Sequence, residues 1–237
     1  MAIEKTRQRP DDLDLDKASS PSDRRMWAIV AGVEVLLASA AVLLDLLFPT
    51  LVLLALASAS LLIRRQGPGS LGLRRPARAG HLVIKVLGVS VAWTLLTLAL
   101  LMPVAEHLTG QRRDVSQFTE VQGNIGLLLF LLLMSWTLAA VGEEVAYRGY
   151  LQTRIRDVLP NKRSGLVIAV LLSSLLFGLA HSEQGLVGIL LATSDAIFFS
   201  VLRYRYCTVW ASVLAHGFLN SIGIVAYFIA GPFYGLW

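Results

Sequence analysis

Residues 125–140 read IGLLLFLLLMSWTLAA, sixteen positions without a charge, and residues 141–151 continue VGEEVAYRGYL. The first stretch has the composition of a membrane-spanning segment, and the second sets Glu143, Glu144 and Arg148 at its end. On insertion-type scales each such charge costs about 2.5–3.5 kcal/mol near the middle of a membrane helix. Three of them together require compensation from other parts of the same chain.

The rest of the sequence has the same character. The chain of 237 residues is 55% hydrophobic and 16% charged, with a mean hydropathy of +0.65. These values belong to integral membrane proteins rather than to soluble domains. A spanning helix needs about 20 mostly apolar residues. Runs of that kind fall at 26–47, 49–63, 82–105, 124–147, 165–181, 185–202 and 207–231, with 49–63 the shortest. The expected fold is therefore an all-α polytopic membrane protein of about seven transmembrane helices. Its division is a disordered cytoplasmic tail over 1–25 and a membrane domain over 26–237. The tail mixes both charge signs with Pro and Ser and lacks apolar periodicity. Its DDLDLDK stretch is not a calcium loop: counted from Asp12, the sixth position is Lys17 where a glycine is needed. The one cysteine, Cys207, has no partner for a disulfide or for a cysteine metal site.

The sequence pI of 9.7 reflects topology and not nucleic acid. Lys and Arg number six over 1–25, six over 64–85, five over 148–163 and two over 203–205, which leaves only Arg112 and Arg113 of the 21 elsewhere. With seven spans these four clusters share one face, which the positive-inside rule makes cytoplasmic, so the N-terminus is expected inside. The expected setting is a cell membrane, bacterial plasma membrane in type.

Two later segments also carry polar groups where lipid would reject them: FGLAHSEQG at 177–185 and LAHGFLNSIG at 214–223. His216 and Asn220 are four apart and share a helical face, as do Phe177 and His181, and Glu144 and Arg148. Together they comprise a carboxylate able to deprotonate water, a histidine able to share that proton, and a His/Asn pair able to donate to an oxyanion, the equipment of a hydrolase. Depth is consistent with a shared layer if the helix of 125–147 continues through RGYLQTRIRDVL. The midpoint of 143 and 181 is then 162, inside the turn LPNKRSG, and an antiparallel hairpin bent there sets Glu143 opposite His181. The break SEQG after His181 is irregular backbone at membrane depth, tolerated where it lines a wet cavity or is buried in protein.

EEVAYR (143–148), FGLAH (177–181) and HGFLN (216–220) fit the patterns EExxxR, FxxxH and HxxxN. In order and approximate spacing they resemble the CAAX-protease and bacteriocin-processing (CPBP, or Abi) family of intramembrane proteases, over about residues 124–225. The resemblance implies an endopeptidase acting on a membrane-embedded or membrane-associated, prenylated-like peptide or protein. In it Glu143 activates the attacking water with His181. His216 and Asn220 complete the site as oxyanion donors or, on another view of the family, as metal ligands, and Glu144 and Arg148 are supporting residues. An ion pair between Glu144 and Arg148 would lower the cost of burying both and leave Glu143 free for water. No cofactor is favoured. The alternative is zinc on Glu143, His181 and His216, set against the absence of an HExxH and the weakness of Asn as a zinc ligand.

Other residues have structural readings. Glu34 and Asp45, eleven apart, should share an inward helical face, and Asp195 should satisfy a neighbouring helix. LASAS (56–60) and the small residues of 211–217 suit close helix packing. Two other functions fit parts of the pattern: a small ion-coupled transporter, because intramembrane acids and histidines also mark proton relays, and a non-catalytic membrane chaperone or immunity protein on the same fold. The transporter predicts repeat symmetry, which the sequence does not display. A pure binder has no need of the whole Glu/His/His/Asn set.

Overall fold

Apolar runs of this length leave the backbone no partner in lipid except itself, so each becomes a helix. The computed structural model describes residues 21–159 and 161–231. The helices are α1 (Pro21–Leu43), α2 (Pro49–Arg64), α3 (Ala79–Leu96) and α4 (Met102–Thr109), then α5 (Ile125–Met134), α6 (Gln152–Val158), α7 (Lys162–Leu179), α8 (Gly185–Tyr206) and α9 (Val209–Ala230). Two wider π-wound stretches make longer rods of these. Thr97–Leu101 joins α3 to α4, and Ser135–Leu151 joins α5 to α6. The first has a local cause. Pro103 lacks an N–H and its ring crowds the carbonyl four residues back, at Ala99, so the winding loosens there.

Among the described residues five helical rods are long and apolar enough to cross a membrane, and two shorter apolar helices, α2 and α7, accompany them. The expected runs are thus found as helices. The rod over 125–158 continues well past the apolar run, as the hairpin at 162 requires, and α7 starts at Lys162. Side-chain caps fix three starts: Asn124 accepts from Leu127 N, Asn161 from Arg163 N and Ser164 N, and Thr208 from Trp210 N. At its other end α1 begins at Pro21, inside the stretch expected as tail, and residues 1–20, with the DDLDLDK segment, lie outside the described residues. The inward face expected for Asp45 does not form. Helix α1 stops at Leu43, and Asp45 sits exposed in the following turn at φ 47°, where helical periodicity no longer applies.

The bundle is assembled from neighbouring pairs. α7 and α8 form a hairpin, α9 lies against the π stretch of 135–151, α3 and α8, and α1 packs on α6 while α2 packs on the π stretch. Small residues allow the approach: Ala38, Ala57, Ala146, Ala169 and Ala196 are buried between larger neighbours. Long apolar side chains cover the outside, with Ile84 at 71% and Ile229 at 72% exposure, as suits a lipid-facing surface.

All the described basic clusters gather at one end. There Thr208 Oγ1 donates to Arg74 O at 2.7 Å and Val209 N to Gly72 O at 2.9 Å, tying the 64–80 loop to the start of α9. Gly72 holds φ 85°, and a Cβ there would meet Val209 Cγ2 at 3.2 Å, so this contact needs glycine. Close by, Glu34 of α1 accepts from Ser60 Oγ at 3.0 Å and pairs with Arg64 at 3.3 Å and Arg154 at 3.2 Å. The inward reading of Glu34 holds, and the acid links α1, α2 and α6. The opposite end carries Arg112, Arg113 and the turn after α7. There Asp114 N donates to Gln184 O at 3.1 Å and Gly123 N to Phe228 O at 3.3 Å.

Candidate active site

The site begins on the π stretch, where the two adjacent glutamates have different surroundings. The Glu144 side chain is 0% exposed; its Oε1 accepts from His216 Nδ1 at 2.9 Å and forms an ion pair with Arg148, whose Nη1 lies 2.9 Å away. The expected ion pair is present, and it has a third member. Because an ionised carboxylate only accepts, His216 Nδ1 carries the proton, and the ring turns its Nε2 toward Glu143. That atom is 4.0 Å from Glu143 Oε2, whose side chain keeps 19% exposure.

His181 reaches the same region from the end of α7, in the turn Ala180–Gln184 that interrupts the helix at the SEQG segment. Its Nδ1 lies 2.8 Å from Phe177 O. A carbonyl can only accept, so Nδ1 bears the hydrogen, and Nε2 is the nitrogen left to face the site. His181 is within electrostatic reach of Glu143. Asn220 lies one turn beyond His216 on α9, half-buried, and among the described residues its amide has no hydrogen-bond partner. The structure therefore joins Glu143, Glu144, Arg148 and His216 by direct contacts and brings His181 near them, while Asn220 is set beside the group.

Aromatic rings hold these groups in position. The Arg148 guanidinium lies 4.3 Å over Phe177 and 5.2 Å over Phe199. Phe199 stacks on the His216 ring at 4.9 Å and 14°, Phe177 meets the same ring edge-on at 5.9 Å, and Phe177 also lies 4.6 Å from the His181 ring. The phenylalanine of FGLAH thus touches both histidines and the arginine. Such contacts favour a buried cation. The role of Phe199 was not visible in sequence, since an FFS on an apolar helix has nothing to distinguish it. Gln152 was also missed, though its spacing of four from Arg148 was a usable signal. This buried amide donates to Ser173 Oγ at 2.8 Å and Ser200 Oγ at 2.7 Å and accepts from Arg203 Nη1 at 3.0 Å.

Toward the end opposite the basic clusters, Asp195 accepts from Trp93 Nε1 at 2.6 Å, as expected of an acid that satisfies a neighbouring helix, and lies within electrostatic reach of His216 and His181. Arg113 donates from Nε to Gln184 Oε1 at 3.0 Å. Burial pushes its guanidinium below the ordinary range, and the charges of Asp195 and Glu183 act the other way. Among the described residues no three His, Cys, Asp or Glu side chains gather closely enough to hold a metal ion. The donors of the zinc alternative do not fit that group as they stand.

Residues 125–222 match the family model described as Type II CAAX prenyl endopeptidase Rce1-like. This segment is a CAAX-protease family domain. It starts with α5 and ends within α9, and all three motifs lie inside it. The CAAX-protease domain therefore contains Arg148 and His216, the two partners of the Glu144 carboxylate, while α1 to α4 precede it. Comparison with curated proteins and with solved structures gave no match.

Proposed function

We propose that the protein is an intramembrane endopeptidase in which Glu143 activates the attacking water. The observation that carries this reading is the difference between the two glutamates. Glu144 is consumed by Arg148 and His216, whereas Glu143 Oε2 faces a histidine nitrogen across 4.0 Å with no hydrogen bond of its own. A water beside Glu143 is held by an acceptor that can take its proton.

Glu143 removes one proton from water as the oxygen attacks the scissile carbonyl carbon, and the carbonyl becomes an oxyanion. The Asn220 amide, on the same face of α9 as His216, supplies an N–H to that oxygen, with His216 Nε2 beside it as a second donor when the ring is protonated. The proton taken up passes to the departing amine, directly from Glu143 or through His181 Nε2, and the C–N bond breaks. Glu144 acts through His216 by fixing its tautomer, and Arg148 acts through Glu144 by balancing its charge; both are positioning residues. The substrate is a membrane-embedded or membrane-associated peptide, with prenylated-like chains the class that the family description suggests.

The test is Glu143→Gln, which keeps size and hydrogen bonding but cannot take a proton. Hydrolysis of a substrate identified by comparing membrane proteomes of wild type and variant should fall by about 10²–10⁴-fold, with membrane yield unchanged. Full activity in the variant would exclude Glu143 as the base.

A further inference from the structure

The loop between α2 and α3 leaves and rejoins the lipid-facing surface. Leu62 and Ile63, just before it, are 78% and 65% exposed, and Ile84, in the second turn of α3, is largely exposed too. Such side chains belong against acyl chains, so the loop between them lies at the headgroup layer. It carries Arg65, Arg75 and Arg78, all exposed, and among the described residues no carboxylate pairs with any of them. Arg64 differs, since it turns inward to Glu34, and Arg74 Nε donates to Gly69 O at 3.2 Å. A shallow depression of about 470 Å³ is lined by Gln66, Gly67, Gly69, Ser70 and Arg74. Arg65 and Arg75 flank this lining in the chain.

On its inner side the same loop is fastened to the rods that carry the site. Leu71 is buried against Gly149, the residue after Arg148, where a Cβ would meet Leu71 O at 3.4 Å. Gly72 O accepts from Val209 N, and Arg74 O accepts from Thr208 Oγ1, at the start of α9. A Cβ on Gly72 would also lie 3.5 Å from Arg203 Nη2, and Arg203 donates to Gln152 and Thr153. The loop therefore touches both the π stretch that holds Glu143 and the helix that holds His216. Its outer side presents guanidinium groups without carboxylates. At the headgroup layer the anion available to them is phosphate, which a guanidinium binds through two parallel hydrogen bonds.

We propose that the 64–80 loop binds the phosphate of an anionic phospholipid headgroup through Arg65, Arg75 and Arg78, and that its occupancy steadies the start of α9 against the π stretch. A zwitterionic headgroup carries an ammonium beside its phosphate and is attracted less. Each arginine near an anionic surface strengthens the attraction about fivefold. Anionic lipid then raises turnover by keeping His216 and Asn220 in register with Glu143. That consequence for catalysis rests on the endopeptidase reading; the lipid site rests on the loop alone.

The experiment places the full chain in nanodiscs of phosphatidylcholine alone or of an equal mixture with phosphatidylglycerol. Two quantities are read without any substrate: the unfolding midpoint, and hydrogen exchange of the Val209 amide, whose N–H bonds Gly72 O. The mixture should raise the midpoint and slow the exchange. The triple variant Arg65→Gln, Arg75→Gln, Arg78→Gln should lose both gains. The double variant Arg163→Gln, Arg205→Gln removes exposed cations from the ends of α7 and α8 and should keep them. Equal losses in the two variants, or no gain in the wild type, would overturn the loop as a site, the former by showing only general attraction to a basic end. A higher midpoint with unchanged Val209 exchange would overturn the link to the rods. Inorganic phosphate added to phosphatidylcholine discs should change neither quantity; a matching gain would overturn the lipid as occupant in favour of a free anion. Glu143→Gln protein should respond as wild type does, so failure of the protease reading leaves this result standing.

Discussion

Arg148 is 1% exposed, and what keeps it folded inside a membrane domain is its company: one carboxylate at 2.9 Å and two aromatic faces. Removing one partner of such a pair leaves the other as an uncompensated buried charge, typically at about 3–5 kcal/mol. Arg148→Ala should accordingly lower membrane yield and the unfolding midpoint in detergent. Glu144→Ala should do the same, and the double variant should lose less than the sum of the two, the signature of direct coupling. Additive losses would mean that Glu144 is held by His216 alone. Arg148→Lys should recover part of the stability but not all, because an ammonium lacks the flat face that lies between Phe177 and Phe199. The pairing of Glu144 with Arg148 could be read from a spacing of four. The His216 bond to Glu144 could not, since the two are 72 positions apart and their meeting depends on how α9 lies against the π stretch.

At the scale of elements, the motif glycines set how closely helices approach. Gly217 follows His216, and a Cβ there would come to 2.5 Å from the Trp136 ring. Gly178 follows Phe177, and a Cβ there would be 2.7 Å from Ile189 O, backbone that cannot move aside cheaply. Overpacking of this kind typically costs about 1–3 kcal/mol. Gly217→Ala should therefore lower the unfolding midpoint and reduce activity more than stability accounts for, because displacing Trp136 shifts the helix that holds Glu143 relative to His216. An unchanged KM and kcat would mean that Trp136 can rotate away and that the contact is only packing. The antiparallel hairpin at 162 was legible from residue arithmetic. The π winding of Ser135–Leu151 was not, because an i→i+5 ladder in an apolar run depends on what surrounds the helix and has no composition of its own.

For the molecule as a whole, Glu34 is the chief polar tie between the first two helices and the CAAX-protease domain. It accepts from Ser60 and pairs with Arg64 and with Arg154 of α6, all at least partly buried. Glu34→Ala leaves both arginines beside a vacated site. We expect a loss of about 3–5 kcal/mol, seen as a lower unfolding midpoint and earlier proteolysis between α2 and α3. A midpoint equal to wild type would mean that Arg154 is satisfied by Asp157 alone, at 2.6 Å. Three members of this latch, Glu34, Ser60 and Arg64, lie outside residues 125–222, so Arg154 within that segment depends on a partner that the segment does not supply.

The sequence by itself determined the helical membrane class, the apolar runs, the grouping of basic residues at one end and the three polar motifs. Each of these rests on a local quantity: hydropathy over about 20 residues, charge between spans, or spacing along one helix face. Tertiary structure alone decided that Glu144 rather than Glu143 holds His216, that Phe177 and Phe199 enclose Arg148, that Asp45 falls outside α1 and that Gln152 joins Ser173, Ser200 and Arg203. All but one of these are contacts between segments distant in sequence. Their energy depends on the angle and depth at which rods cross, and in lipid that is set by the fit of small and large side chains over the whole contact rather than by any one stretch. The exception, the end of α1, is local in position, but it is the chain's turn toward α2 that places Asp45 beyond the helix.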